Sequence, residues 1–371
     1  MDDLTGLLAA LVAIDSINPS LVPGGAGESE AARLVAQWAE GNGLETRTIE
    51  REQGRPSVVV RAPGAGGGRA LLLCGHLDTV GVDGMAEPFA PRVEGDRLYG
   101  RGSYDMKAGV AAALIACRDA ARLGLAGDVV VAAVADEEYA SLGIQDVLES
   151  VSADAAVVTE PTELELVVAH KGFVWLELEV TGRAAHGSRP HLGIDAIVKT
   201  GPLLVDLAEL DHALGANVHP LLGRGSIHAS LIDGGTEFSS YPSRCTLKLE
   251  RRTLPGETTL DVEAEIDGVL AACRSADPAL AVERRTLLSR EPFEVDQNAE
   301  IVSIVSNALG ASKLGGASYW ADSGFIAAAG IPTVLLGPSG EGAHAVEEWV
   351  SLADTATVAR TLLATAEVFC R

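Results

Sequence analysis

Histidine and carboxylate side chains bind dications and move protons near neutral pH, and in this chain they recur just beyond apolar runs. Gly75-His76-Leu77-Asp78 follows the run Ala70–Cys74. His76 there is either a metal ligand, with Asp78 placed to accept from its second ring nitrogen, or a surface histidine in a turn. Asp105 sits in the glycine-rich stretch Gly100-Arg101-Gly102-Ser103-Tyr104-Asp105-Met106-Lys107 at the start of a helical pattern, where a helix cap is its other reading. No phosphate-binding glycine pattern of either common type is present, so a nucleotide site is not expected. Asp136-Glu137-Glu138 follows the run Asp128–Val134. Three adjacent carboxylates repel one another when desolvated, and a bound dication removes that cost. Successive residues leaving a strand point different ways, so Glu138 is placed to ligate a metal while Glu137 faces a reacting water as general base; a solvated acidic turn is the alternative. Glu160, before Pro161, follows the run Ala155–Val158, and His344 comes after Thr333–Leu336. Each of these is weak alone. Jointly they bring His, Asp and Glu from four apolar segments to one edge, a thiolate-free donor set that suits catalytic zinc.

The elements that must position these residues are legible in the pattern. The four apolar runs are continuous, as strands buried on both faces of a mostly parallel sheet should be, and helical patterns such as Lys107–Leu123 and Ser351–Phe369 alternate with them. This predicts an α/β domain whose strand ends open into a ligand crevice. A different texture lies between. Val174, Leu176, Leu178 and Val180 alternate with polar or aromatic residues, as do Leu247 and Leu249, which predicts an antiparallel sheet with one wet face. With helical stretches at Gly193–Leu214 and Thr258–Ala272, residues 172–288 read as an α+β domain inserted between the two parts of the α/β domain, 1–171 and 289–371.

Composition bounds the partners. The 371 residues favour two domains, and 52 acidic against 28 basic residues give a net charge of −24. So negative a chain is repelled by nucleic-acid phosphates and anionic lipid, and neither nucleic acid nor membrane is expected as a partner. The five cysteines are scattered and include no CxxC pair, so reduced thiols and a cytoplasmic location are expected. The apolar stretch Leu7–Ile14 reads as an amphipathic helix, not a signal peptide.

The strings GHLDTV, YGRGSYDMKAG, DEEYASLG, TEP, HGSRPHLGIDA, ERRTLPGE and GAHAVEEWV occur in this order from His76's segment to the C-terminal region. In them the chain resembles the acetylornithine deacetylase, succinyl-diaminopimelate desuccinylase and carboxypeptidase G family of di-zinc peptidases and deacylases. The resemblance implies that Asp105 bridges two zinc ions, one also held by His76 and Glu160, the other by Glu138 and His344. It implies that Asp78 orients His76, that Glu137 is the acid/base, and that the Asp105–Met106 peptide is cis. It further implies that residues 172–288 form a dimerisation lid, with His186 reaching the partner subunit's site and Arg252 binding a substrate carboxylate. Taken alone, His186 reads as a turn histidine and Arg252 as a solvated strand end. The loop Gly234–Pro242 lacks the Asn often found in this family, and Glu250 stands where Asp is frequent.

The resemblance therefore implies a homodimeric zinc-dependent amidohydrolase, with Co2+ or Mn2+ as alternative metals, acting on an N-acyl amino acid. A dipeptidase or carboxypeptidase with the same metals is the rival reading. A metal- or amino-acid-binding protein without catalysis is the rival from another class, and the intact Glu137 argues against it.

Overall fold

Leu71–His76, Val129–Val134 and Ala155–Val158 are buried at every residue, as is Thr333–Leu335, and these four continuous apolar segments pair in parallel. Burial on both faces removes the selection for alternation, which is why they are mostly aliphatic and show no period of two. The computed structural model describes residues 3–310 and 313–371. Outside the parallel centre the sheet is mixed: Ser57–Ala62 runs antiparallel to Val129–Val134, Glu45–Ile49 antiparallel to Ser57–Ala62, and Leu166–His170 antiparallel to Thr333–Leu335. The carboxyl ends of the parallel strands lie at one edge and deliver His76, Asp136–Glu138 and Glu160 there.

The α-helix Ala108–Ala120 packs against this sheet through small residues, and nearly all of it is buried. Gly109 makes the approach close: a Cβ there would lie 2.0 Å from the carbonyl oxygen of Thr159. No other residue fits, so glycine sets how near the Asp105 loop comes to the strand end carrying Glu160. The helix begins at Ala108, not Lys107, because Ser103–Lys107 forms a separate irregular turn in which Asp105 and Met106 leave helical geometry. The Asp105–Met106 peptide is cis, as the family resemblance implied. A small antiparallel sheet, in the order Gly340–Glu341, Trp349–Ser351, Arg97–Tyr99, Arg92–Glu94, supports the loops of His344 and Asp105.

The chain divides into two compact units. One takes the described residues of Met1–Val168, Val295–Gly315 and Ala321–Arg371; the other takes Ala169–Glu294 and Gly316–Trp320. In the second, Ser226–Gly234, Arg244–Thr253, Gly172–Thr181 and Ala281–Arg290 form an antiparallel sheet in that order. Its inner face, Val174, Leu176, Leu178, Val180, Leu247 and Leu249, packs on Leu203 and Leu207 of helix Ala196–Leu214 and on Val262, Ile266 and Leu270 of helix Thr259–Ala276. A Thr258–Asp261 capping box starts the second helix, satisfying donors that would otherwise be left open. Among the described residues no helix is long and apolar enough to cross a membrane.

Candidate metal centre

Asp105 stands between two imidazoles. Its Oδ1 lies 3.2 Å from His76 Nε2 and its Oδ2 lies 3.2 Å from His344 Nε2. Glu138 Oε2 is also 3.2 Å from His344 Nε2, while Glu137 Oε2 and Glu160 Oε1 are each 3.9 Å from His76 Nε2. Ligand atoms of His76, Glu137 and Glu160 lie within 4.8 Å of one another, as do those of His76, Asp105 and Glu138. Five side chains named from the sequence as ligands, and Glu137 with them, thus meet in one place in the first unit. Both Asp105 oxygens face imidazoles, and the following helix carries no side-chain cap bond. A capping role for Asp105 is set aside on that ground.

His76 is 1% exposed and fixed from behind. Its Nδ1 donates to the backbone carbonyl of Asp78 at 3.0 Å, with the Asp78 carboxylate at 3.5 Å. A carbonyl oxygen only accepts, so Nδ1 carries a proton, and Nε2 is the nitrogen turned to the other carboxylates. The nearest partner of the ring is therefore the main chain of Asp78. Its carboxylate acts chiefly on the acidic loop, accepting from the N–H groups of Glu137 at 3.1 Å and Glu138 at 3.2 Å.

Asp78 is tied in turn to residues that sequence reasoning missed. Asn18 Nδ2 donates to Asp78 Oδ2 at 2.7 Å and to Asp136 Oδ1 at 3.0 Å, holding two buried carboxylates side by side. Arg55 pairs with Asp136 and Glu28, both at 2.7 Å. Asp136 has a left-handed φ of 66°, a conformation most side chains avoid, and these bonds hold it there while the chain turns to present Glu137 and Glu138. Asn18-Pro19 after an amphipathic helix is a turn signal only. Glu28 and Arg55 carry no local signal, since their partners are remote in sequence.

The electrostatics reflect crowding of like charge. Burial raises Glu137 well above the ordinary carboxylate range, and Glu160, Asp322 and Glu138 add to the effect against the opposing pull of His76. Burial likewise pushes Glu160 up to about 8, and raises Glu138. Hydrogen bonds to Asp105 and Glu138 raise His344 to about 10. For Asp105, burial opposes ionisation but the hydrogen bonds from His344 and His76 prevail, leaving it below its usual range. Two observations fit a dication pair to this donor set. Four carboxylates crowd one site, and buried Glu138 Oε1 has no hydrogen-bond partner among the described residues.

The remaining two expected site residues lie in the second unit. His186 is in a loop, its Nδ1 2.8 Å from Ser188 Oγ. Arg252 donates from Nε to Glu250 at 2.8 Å and lies over the Phe173 ring, with its side chain 30% exposed. Its neighbour Arg251 is fully buried and paired with Glu257 and Glu265. Of the two arginines in ERRTLPGE, only Arg252 is open to a solute.

Comparison with known proteins gives this geometry its context. Residues 72–368 match the family described as Peptidase family M20/M25/M40. The acetylornithine deacetylase of Pectobacterium atrosepticum is 30% identical over 367 residues, covering 94% of this chain and 92% of that protein. The aminopeptidase PepT of Bacillus cereus superposes with a TM-score of 0.83 at 18% identity, covering 99% of this chain and 98% of its own. YXEP of Bacillus subtilis, a dinuclear metal binding peptidase, superposes with a TM-score of 0.76 at 15% identity, covering 99% and 98%.

Proposed function

The chain belongs to the M20/M25/M40 peptidase family and is a hydrolase of amide bonds, and on that premise we propose that it removes the acyl group of an N-acyl amino acid. The observation that carries the reading is the Asp105 carboxylate set between His76 and His344, with Glu160 beside one and Glu138 beside the other. In this proposal His76, Glu160 and Asp105 hold one Zn2+, and Glu138, His344 and Asp105 hold a second; Co2+ and Mn2+ suit the same oxygen and nitrogen donors. When bound, such a pair supplies Lewis acidity to the amide carbonyl and acidifies water.

The chain's own groups do the rest. Glu137 takes a proton from the water whose oxygen attacks the carbonyl carbon, and returns a proton to the departing nitrogen as the C–N bond breaks. Asp78 orients this base by accepting from its N–H, and steadies His76 through its carbonyl. His186, from the partner subunit, donates to the oxygen on which negative charge develops. Arg252 receives the carboxylate of the amino acid, exchanging its bond to Glu250 for one to the substrate.

A homodimer formed through residues 172–288 goes with this reading. Val198, Val205, Leu231 and Ile232 are each more than half exposed, on the helix Ala196–Leu214 and on Ser226–Gly234, the edge strand of the second unit's sheet. An apolar edge of this kind invites pairing with a second copy. The five cysteines are unpaired and buried, which favours a cytoplasmic setting.

The rival reading is a dipeptidase or carboxypeptidase on the same centre. A panel of N-acetyl amino acids, N-succinyl amino acids, dipeptides and tripeptides, assayed for kcat/KM on zinc-loaded protein, separates the two. Preference for the N-acyl amino acids is expected, and preference for peptides by about a hundredfold or more would replace deacylation with peptidolysis.

A further inference from the structure

One buried carboxylate close to the centre takes no part in the reaction proposed above. Glu348 has no exposed surface. Its Oε1 accepts from the backbone N–H of Tyr104 at 2.8 Å and of Asp105 at 3.0 Å. Its Oε2 accepts from the N–H of Gly102 at 2.9 Å and from Arg101 Nη1 at 2.5 Å. A buried carboxylate is costly unless its lone pairs are met, and here four donors meet them. Three of the four are main-chain groups of the loop that carries Asp105.

Glu348 itself belongs to the other loop. His344 is four residues earlier, in a segment that turns through left-handed φ at Gly342 and at His344. A Cβ at Gly342 would lie 1.9 Å from the Glu347 carbonyl oxygen, so the segment closes on itself as only glycine allows. Arg101 adds a second tie, donating from Nη2 to the carbonyl of Ala345 at 2.8 Å. The backbone bond from Gly100 N–H to the Glu348 carbonyl, 3.1 Å, and the pairing of Trp349 with Tyr99 complete the seam. The two loops so joined are those whose side chains meet at 3.2 Å between Asp105 Oδ2 and His344 Nε2.

We infer that Glu348 is a positioning residue for one half of the dinuclear centre: by gathering the N–H groups of Gly102, Tyr104 and Asp105 onto the His344 loop, it sets Asp105 and His344 at ligand distance. The inference rests on the reading of the cluster as a site for two dications. Its consequence is selective. His76 and Glu160 are delivered by strands that Glu348 does not touch, so the ion they share with Asp105 keeps two of its three ligands in place, whereas the ion held by Asp105, Glu138 and His344 loses the placement of two of three.

Calorimetric titration of the chelator-stripped full chain with Zn2+, in competition with a chelator of known affinity, reads this directly. The variants are Glu348→Gln, Glu138→Ala and Glu160→Ala, with Glu348→Asp as the conservative control. Wild type should take up two ions, and Glu138→Ala and Glu160→Ala should each abolish a different step. Glu348→Gln, which turns an amide N–H toward donors, should weaken by about 10- to 100-fold the step that Glu138→Ala abolishes and weaken the other at least about fivefold less, and Glu348→Asp should recover part of the loss. Equal weakening of both steps, no weakening, or greater weakening of the step lost in Glu160→Ala overturns the inference. A wild type that takes up fewer than two ions overturns the dinuclear reading itself. If Glu348→Gln does not fold, Arg101→Met, which keeps the Glu348 carboxylate but removes the guanidinium's bonds to Glu348 and to the Ala345 carbonyl, must show a selective loss of the same step.

Discussion

Arg55 and Asp136 form an ion pair of 2.7 Å whose side chains are 4% and 0% exposed, at the residue immediately before the acidic pair Glu137-Glu138. Glu28 shares the guanidinium, and Asn18 joins Asp136 to Asp78, so the rear of the site is a closed polar network. Removing one member leaves the others charged and dry.

Arg55→Met should therefore lower the stability of the protein by about 3–5 kcal/mol, because Glu28 and Asp136 lose their counter-charge without regaining water. Urea unfolding at neutral pH measures it. A loss below about 1 kcal/mol would mean that the network is solvated and the pair is equivalent to a surface bridge.

Stability of the stripped protein should fall as pH rises. Glu160, raised to about 8 from an ordinary 4.5, and His344, raised to about 10 from 6.5, hold protons more tightly when folded than when unfolded. Their contribution is thus complete below the unfolded values. It drains away between pH 4.5 and about 8 for Glu160, and between pH 6.5 and about 10 for His344. Bound dications displace these protons, so zinc should raise the melting temperature more at pH 8 than at pH 5.5, with protons released on binding. Thermal melts with and without zinc across this range check the sign, and a zinc effect that shrinks with rising pH contradicts it.

Replacing Glu137 with Ala should leave metal uptake intact and reduce kcat by roughly 10^2- to 10^4-fold, the usual contribution of a positioned acid/base. Metal content and turnover measured on the same sample decide it. Loss of a metal together with activity would place Glu137 among the ligands instead.

For Arg252→Ala the expectation is a raised KM with kcat little changed, since a carboxylate anchor acts equally in the ground and transition states. Steady-state kinetics on an N-acyl amino acid and on its carboxamide analogue give a second view. The wild type should discriminate between them and the variant should not.

Complementation tests the subunit reading. Mixing a His186→Ala protein with a Glu137→Ala protein should restore part of the activity once hybrid dimers form, because one site then holds an intact base and an intact partner histidine. Hybrids shown by mass spectrometry to form without any recovery would contradict a histidine supplied in trans.

How much of this was legible beforehand follows from the range of each interaction. The parallel strands were readable because burial on both faces leaves a continuous aliphatic run, and the residues just past their ends, His76, Asp136–Glu138 and Glu160, followed from strand direction alone. The inner face of the second unit was readable for the converse reason, since Val174, Leu176, Leu178 and Val180 alternate with residues facing solvent. Antiparallel flanking strands left no such mark, because pairing direction is set by tertiary contacts. The network behind the site was invisible: Asn18 meets Asp136, and Arg101 meets Glu348, only after the chain has returned from far along its length. Asp78 lies beside His76, as their spacing suggests, yet the atom nearest the ring is its carbonyl oxygen, a distinction no side-chain type can carry.

The central claim is that Asp105 is shared by two dications. Anomalous scattering at the zinc edge from crystals of the loaded protein tests it most directly. Two peaks roughly 3.5–4 Å apart are expected, both next to Asp105, one within bonding reach of His76 and Glu160 and the other of Glu138 and His344. A single peak, or two that do not share Asp105, would contradict the account.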